Sequence, residues 1–191
     1  SATKYFGGHS DISAGAVASS QEIMDKIWDL AKDFGGNLSD YTVWLLERSM
    51  KTLGIRVKAQ QRNAKRLANY LHKHPAVKSV YYPGLKSNEY HSLAKIQMKG
   101  FGAMLSFELK DRFDSDKFLK ALTLIQPSMS LAGVESTMLL PSKTSHSLLS
   151  EEDRANQGIT DQLIRFSVGI ETTKDLIKDI EQAISLSNLK Q

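Results

Sequence analysis

The first four residues place two hydroxyls and an amine within reach of one another. Ser1 and Thr3 lie one residue apart, and Lys4 follows at once. A phosphate needs several hydrogen-bond donors gathered within a few ångströms, and alternate hydroxyls with neighbouring backbone N–H groups supply them. A lysine beside such a cradle reaches the aldehyde of a phosphate-bearing cofactor. Its amine becomes a nucleophile when desolvation or neighbouring charge brings its pKa down from about 10.4. The same run is also what a solvated tail would contain. Arg165, taken alone, reads as a surface strand arginine paired with a Glu such as Glu171, although its planar, permanently charged fork also fits a carboxylate. His9 and Asp11 are expected to stabilise the loop after Lys4. His72, His74, His91 and His146 lack metal-ligand spacing, so no metal site is expected.

Several elements must position these groups. Residues 1–19 are rich in Gly, Ser and Ala, and predict a loop followed by a short buried strand at Ile12–Ala18. Ile23, Ile27, Leu30 and Ala31 recur at helical spacing, and Gly35-Gly36 stops that helix. Ser39 or Asp40 caps the next one. Tyr41 to His74 is the longest helical pattern, with Gly54 as its kink and Pro75 as its end. Trp28 and Trp44 fall on apolar helix faces and are expected in the core. Strands are predicted at Val77–Tyr82, Ala103–Leu109 and Gln162–Val168. Helices are predicted at Phe113–Leu124 and Asp175–Leu186. Interleaved strands and helices with turns between them predict an α/β sandwich with a mainly antiparallel sheet.

Length and composition bound what this architecture does. The 191 residues suffice for one domain with a core, or one and a half small ones. Hydrophobic residues make up 41% and charged residues 24%, with no run long enough for a bilayer span and no signal peptide in view. A start at Ser rather than Met suggests a processed, cut or partial chain. The absence of cysteine excludes disulfides and thiolate metal sites, and a cytoplasmic home is the default expectation. The net charge of +4 suits an anionic ligand, but the cations are interspersed with Asp and Glu, and no nucleic-acid partner is expected.

The run Ser1-Ala2-Thr3-Lys4-Tyr5-Phe6-Gly7-Gly8-His9-Ser10-Asp11 resembles the cofactor-lysine motif of the Cys/Met-metabolism (transsulfuration) enzymes, which use pyridoxal 5'-phosphate (PLP). That family contains the cystathionine synthases and lyases, methionine γ-lyase and the homocysteine sulfhydrylases. Further matches follow in the family's order. Trp44 through Leu53 resembles its arginine-containing Lys-Thr-Leu helix, with Ser49 where glycine is usual. Ser130-Leu131-Ala132-Gly133-Val134-Glu135-Ser136 resembles the substrate-site loop. Pro141 through His146 resembles its Pro-x-x-x-Thr-His, with Ser145 in place of threonine. Leu163 through Glu171 resembles the strand that carries the substrate-carboxylate arginine.

The resemblance implies the C-terminal part of a fold-type I PLP enzyme. Residues 1–60 would be the end of the large cofactor-binding domain with its connecting helix, and residues 61–191 the small C-terminal α/β domain. It implies that Lys4 holds the cofactor covalently and shuttles protons, that Ser1 and Thr3 bind its phosphate, and that Arg165 clamps the amino-acid carboxylate with Ser130 assisting. The implied reaction is C–S bond cleavage on a sulfur-containing amino acid. Gly133-Val134-Glu135-Ser136 favours a cystathionine β- or γ-lyase over a cystathionine γ-synthase or a methionine γ-lyase. The partners implied are the enzyme's N-terminal half and further copies in a homotetramer, with no membrane. An inactive fragment or an interaction module is the remaining alternative.

Overall fold

The computed structural model describes residues 1–189, in two compact units, the first of residues 1–54 and the second from residue 55 onward. The first unit opens with a turn at residues 3–7 and an extended loop. Helices α1 (Gln21–Phe34) and α2 (Asp40–Met50) follow. Gly35, left-handed at φ 68°, ends α1, and the Ser39 hydroxyl caps α2 by accepting from the Thr42 amide. Ile12–Ala18 is not the buried strand expected. No strand flanks it among the described residues, and from Gly15 to Ala18 it is exposed. A strand needs a neighbour's N–H and C=O groups to satisfy its own, and here only the Ala14 carbonyl and amide find such partners, on Ala2 and Thr3.

Trp28 and Trp44 are not core residues either, being 62% and 55% exposed. The apolar stripe of α1 exists as predicted, but the helix buries no residue. Helical periodicity shows that a face is apolar, and it does not show that this chain covers that face. The long helical pattern is broken at Lys51-Thr52 rather than at Gly54, because α3 runs without interruption from Leu53 to Lys73.

The second unit is an α/β fold around a five-stranded sheet. Its strands are β1 (Val77–Tyr81), β2 (Met104–Leu109), β3 (Gln126–Pro127), β4 (Thr137–Leu139) and β5 (Leu163–Ser167), in spatial order β1-β2-β5-β4-β3. All pairings are antiparallel except the short β3–β4 contact. The mainly antiparallel sheet is therefore as expected. Helices α4 (His91–Gln97), α5 (Ser115–Ala121), α6 (Glu151–Asn156) and α7 (Thr173–Leu186) complete the unit. The helix expected over Phe113–Leu124 is shorter at both ends. Asp114 caps it with two backbone donations, from Asp116 and Lys117, and so fixes its start.

Strand alternation divides the sheet into two faces. Leu105 and Phe107 on β2 stand opposite Phe166 and Ile164 on β5, and all four are buried. Phe107 meets Phe118 of α5 edge-on, with ring centroids 6.1 Å apart. Ser106, Arg165 and Leu139 share a register across β2, β5 and β4, so the alternation turns Arg165 away from the Phe107 face.

Candidate active site

Each unit carries one part of the predicted site. In the first unit the chain folds back on itself at Lys4. The Gly7 amide donates to the Ala2 carbonyl at 2.8 Å, and the Gly8 amide to the Lys4 carbonyl at 2.7 Å. These bonds fix the Lys4 backbone although the residue lies near a terminus. The Thr3 hydroxyl donates to the Ala14 carbonyl at 3.2 Å and accepts from the Ala14 amide at 2.8 Å, tying the turn to the following loop. His9 lies beneath this turn, with Nδ1 2.8 Å from the Gly7 carbonyl and 3.4 Å from the Ser49 hydroxyl of α2. That position agrees with a loop-stabilising role.

The half-buried Lys4 has no hydrogen bond or ion pair on its amine among the described residues, which leaves it available for a carbonyl carbon. An amine, two hydroxyls and the amides of a tight turn are a donor set that fits an aldehyde-bearing phosphate ester such as PLP. Thr3 would turn its O–H from Ala14 to a phosphate oxygen, while Ser1 is exposed with its hydroxyl free.

In the second unit Arg165 and Ser130 are brought together. Arg165 Nη2 donates to the Met129 and Ser130 carbonyls, both at 3.0 Å. Its Nε is buried and has no partner. Burial pushes the guanidinium pKa down from its ordinary value, yet a guanidinium stays charged at neutral pH. No carboxylate pairs with it among the described residues: Glu171 instead accepts from the Ser136 amide at 2.6 Å and the Ser136 hydroxyl at 2.8 Å. Arg165 is thus a permanent cation, held in place by neutral carbonyls, with a donor left over. A buried unpaired donor is costly, and a carboxylate ligand satisfies both the charge and the N–H.

The loop from Ser130 to Ser136 is pinned from several directions by residues that sequence reasoning missed. Gln60 of α3 donates to the Gly133 carbonyl at 2.6 Å, and Asn63 donates to the carbonyls of Gly169 (3.2 Å) and Glu171 (2.7 Å). The Ser167 hydroxyl accepts from the Ala132 amide at 2.7 Å, and the Ser136 hydroxyl accepts from the Gly169 amide at 2.9 Å. Ala132 is left-handed at φ 66° and fully buried, a conformation that a non-glycine residue keeps only when its surroundings impose it. Gly169 admits no side chain, because a Cβ there would lie 2.2 Å from the Val134 carbonyl. One signal for Gln60 and Asn63 was in the sequence. They share the helical phase of Ala64, Leu67, Ala68 and Leu71, and polar residues on a buried stripe need partners. The Pro141–His146 segment begins as one 3-10 turn, closed by the Thr144 amide on the Pro141 carbonyl, which also accepts from the His146 amide.

The mainly antiparallel α/β unit is that of the C-terminal part of fold-type I PLP enzymes. The family model for Cys/Met metabolism PLP-dependent enzymes matches residues 1–185, and the chain belongs to that family. It is 44% identical over 185 residues to a cystathionine gamma-lyase of Bacillus subtilis, covering 96% of this chain and 49% of that protein. It is 42% identical over 187 residues to an L-methionine gamma-lyase of Fusobacterium nucleatum, covering 96% and 47%. Among solved structures, it superposes with a TM-score of 0.92 at 40% identity on cystathionine gamma-lyase from Lactobacillus plantarum complexed with L-serine, covering 97% of this chain and 49% of that one. A cystathionine gamma synthase from Xanthomonas oryzae gives 0.89 at 39% identity, covering 96% and 48%. The chain spans about half the length of the curated relatives it matches.

Proposed function

We propose that this chain is the C-terminal part of a PLP-dependent carbon–sulfur lyase of the cystathionine β- or γ-lyase type. Residues 1–60 would close the large cofactor-binding domain, and residues 61–191 would form the small domain. The observation that carries the reading is Arg165: a guanidinium fixed by two carbonyls, with a buried free N–H and, among the described residues, no carboxylate partner. Such a group fits the carboxylate of an amino acid. Its two neutral anchors orient it without quenching its charge. Ser130, whose carbonyl is one of those anchors, would position the loop edge against that carboxylate.

Lys4 Nζ would hold PLP through its aldehyde, and Ser1 and Thr3 would hold its phosphate; when bound, PLP would supply an electron sink for negative charge at the substrate's α-carbon. Lys4 Nζ, once freed, would take the α-proton and return a proton where elimination at the β or γ carbon breaks the C–S bond. The N-terminal half would complete the cofactor site. The exposed apolar faces of α1 and α2, including Trp28, Leu30, Phe34 and Trp44, suit such a covering surface. The assembly proposed is a cytoplasmic homotetramer.

The test is an elimination assay on the chain joined to its N-terminal half, with cystathionine and PLP. Release of ammonia, a 2-oxo acid and a free thiol supports the lyase reading, and the thiol's identity distinguishes β from γ elimination. A protein that binds PLP but releases no thiol would overturn it. Formation of cystathionine from cysteine and an activated homoserine would then favour the γ-synthase alternative.

A further inference from the structure

The cations that looked scattered in the sequence are gathered by the fold. On the exposed face of α3, Lys58, Arg62, Lys65 and Arg66 follow one another at helical spacing, covering with Asn69 roughly 17 Å of helix axis. Opposite them stand Lys86, Lys95 and Lys99. Together they line two depressions of 630 and 560 Å³, which share Lys65, Asn69 and Phe101 and so form one groove. No aspartate or glutamate lines either depression. None of the seven side chains makes an ion pair or hydrogen bond among the described residues. Without these seven, the chain's formal charge of +4 would be negative.

The floor between the walls is rigid. Gln61 lies over Gly100, where a Cβ would come within 2.2 Å of its amide, and accepts from the Gly102 amide at 3.2 Å. The Tyr82 hydroxyl donates to the Gly102 carbonyl at 3.0 Å. His91, held 2.7 Å from the Pro83 carbonyl, stacks on Phe101 at 5.4 Å. The groove is therefore an aromatic floor, held by hydrogen bonds, between two walls of cationic donors.

We propose that this groove binds single-stranded nucleic acid, with its phosphates on the two cationic walls and a base against Phe101. Several anionic groups in a row are needed to use cations spread along α3, which excludes a compact anion. The seven cations are donors without protein partners among the described residues, and phosphates, which only accept, match them. An acidic peptide would use the cations but not the aromatic floor. An aromatic at the centre of a cationic groove is the arrangement on which bases stack.

The test is fluorescence anisotropy of a labelled single-stranded RNA of about a dozen nucleotides, titrated with the full-length protein from roughly 50 to 200 mM salt. The combined variant Lys58→Glu, Arg62→Glu, Lys65→Glu is compared with Lys120→Glu, Lys174→Glu, Lys178→Glu, which changes the net charge equally elsewhere. The groove variant should lose about ten-fold or more in affinity while the control keeps it. Lys95→Glu with Lys99→Glu, on the other wall, should show the same loss. Phe101→Leu should weaken binding without changing the salt slope. No binding by the unaltered protein at low salt, or equal losses in groove and control variants, would overturn the proposal. So would polyglutamate displacing the RNA as well as unlabelled RNA does, which would assign the groove to an acidic polypeptide.

Discussion

Arg165 is a cation held by neutral carbonyls, with no carboxylate partner among the described residues. A carboxylate neighbour would have satisfied it and lowered its attraction for a substrate. Glu171, only six positions on, is instead occupied by both donors of Ser136. Two carbonyls take two N–H bonds and leave the charge intact. Arg165→Lys keeps the charge but loses the fork. The expected outcome is a KM for the amino acid raised by about ten-fold or more, roughly 1.4 kcal/mol, with a smaller change in kcat. Steady-state kinetics on the full-length enzyme check this, and an unchanged KM would remove the carboxylate role. Lys4, Arg165 and Ser130 were legible as candidates because each sits in a short run whose residue types and order carry information. The partners of Gln60, Asn63, Ser136 and Glu171 were not. Their bonds join positions 33 to 110 residues apart, and one-dimensional spacing has no access to such partners.

At the scale of elements, one carboxylate organises the chain entering β3. Asp179 of α7 is only 4% exposed and accepts from the Thr123 amide and hydroxyl, the Leu124 amide and the Ile125 amide, all at 2.8–3.0 Å. It thus acts as an internal cap for the chain entering β3. Burial pushes its pKa up, but these donations outweigh burial and hold it below the ordinary carboxylate range. A depressed folded-state pKa means stability that is present above the unfolded value, about 3.9, and lost as pH falls through the folded value. Asp179→Asn should therefore destabilise the protein by about 1–3 kcal/mol at neutral pH. The gap to the unaltered protein should close as pH falls below about 4. Denaturant unfolding at several pH values measures this, and a gap independent of pH would contradict it. The longer elements were legible: α1, β1, β2, β5 and α7 each repeat their period enough times to show it. β3 and β4, at two and three residues, are too short to carry a period. α4 and α6 are single helices of seven and six residues whose faces the expected pattern did not separate from loop.

For the whole molecule, the sequence informed what is apolar and what is charged better than it informed where those groups end up. The stripe of α1 and the two tryptophans read as core, yet the described chain leaves them exposed. The cations of residues 58–99 read as dispersed, yet they line one groove. Both outcomes depend on which surfaces meet, and relatives about twice as long as this chain have further surface with which to meet them. In the proposed function the reactive amine is that of Lys4. The most direct measurement is borohydride reduction of the PLP-loaded full-length protein, followed by peptide mass mapping, with Lys4→Ala alongside. The account predicts one cofactor adduct, on the peptide that carries Lys4, and its disappearance in Lys4→Ala. An adduct on another lysine, or one that survives Lys4→Ala, would contradict it.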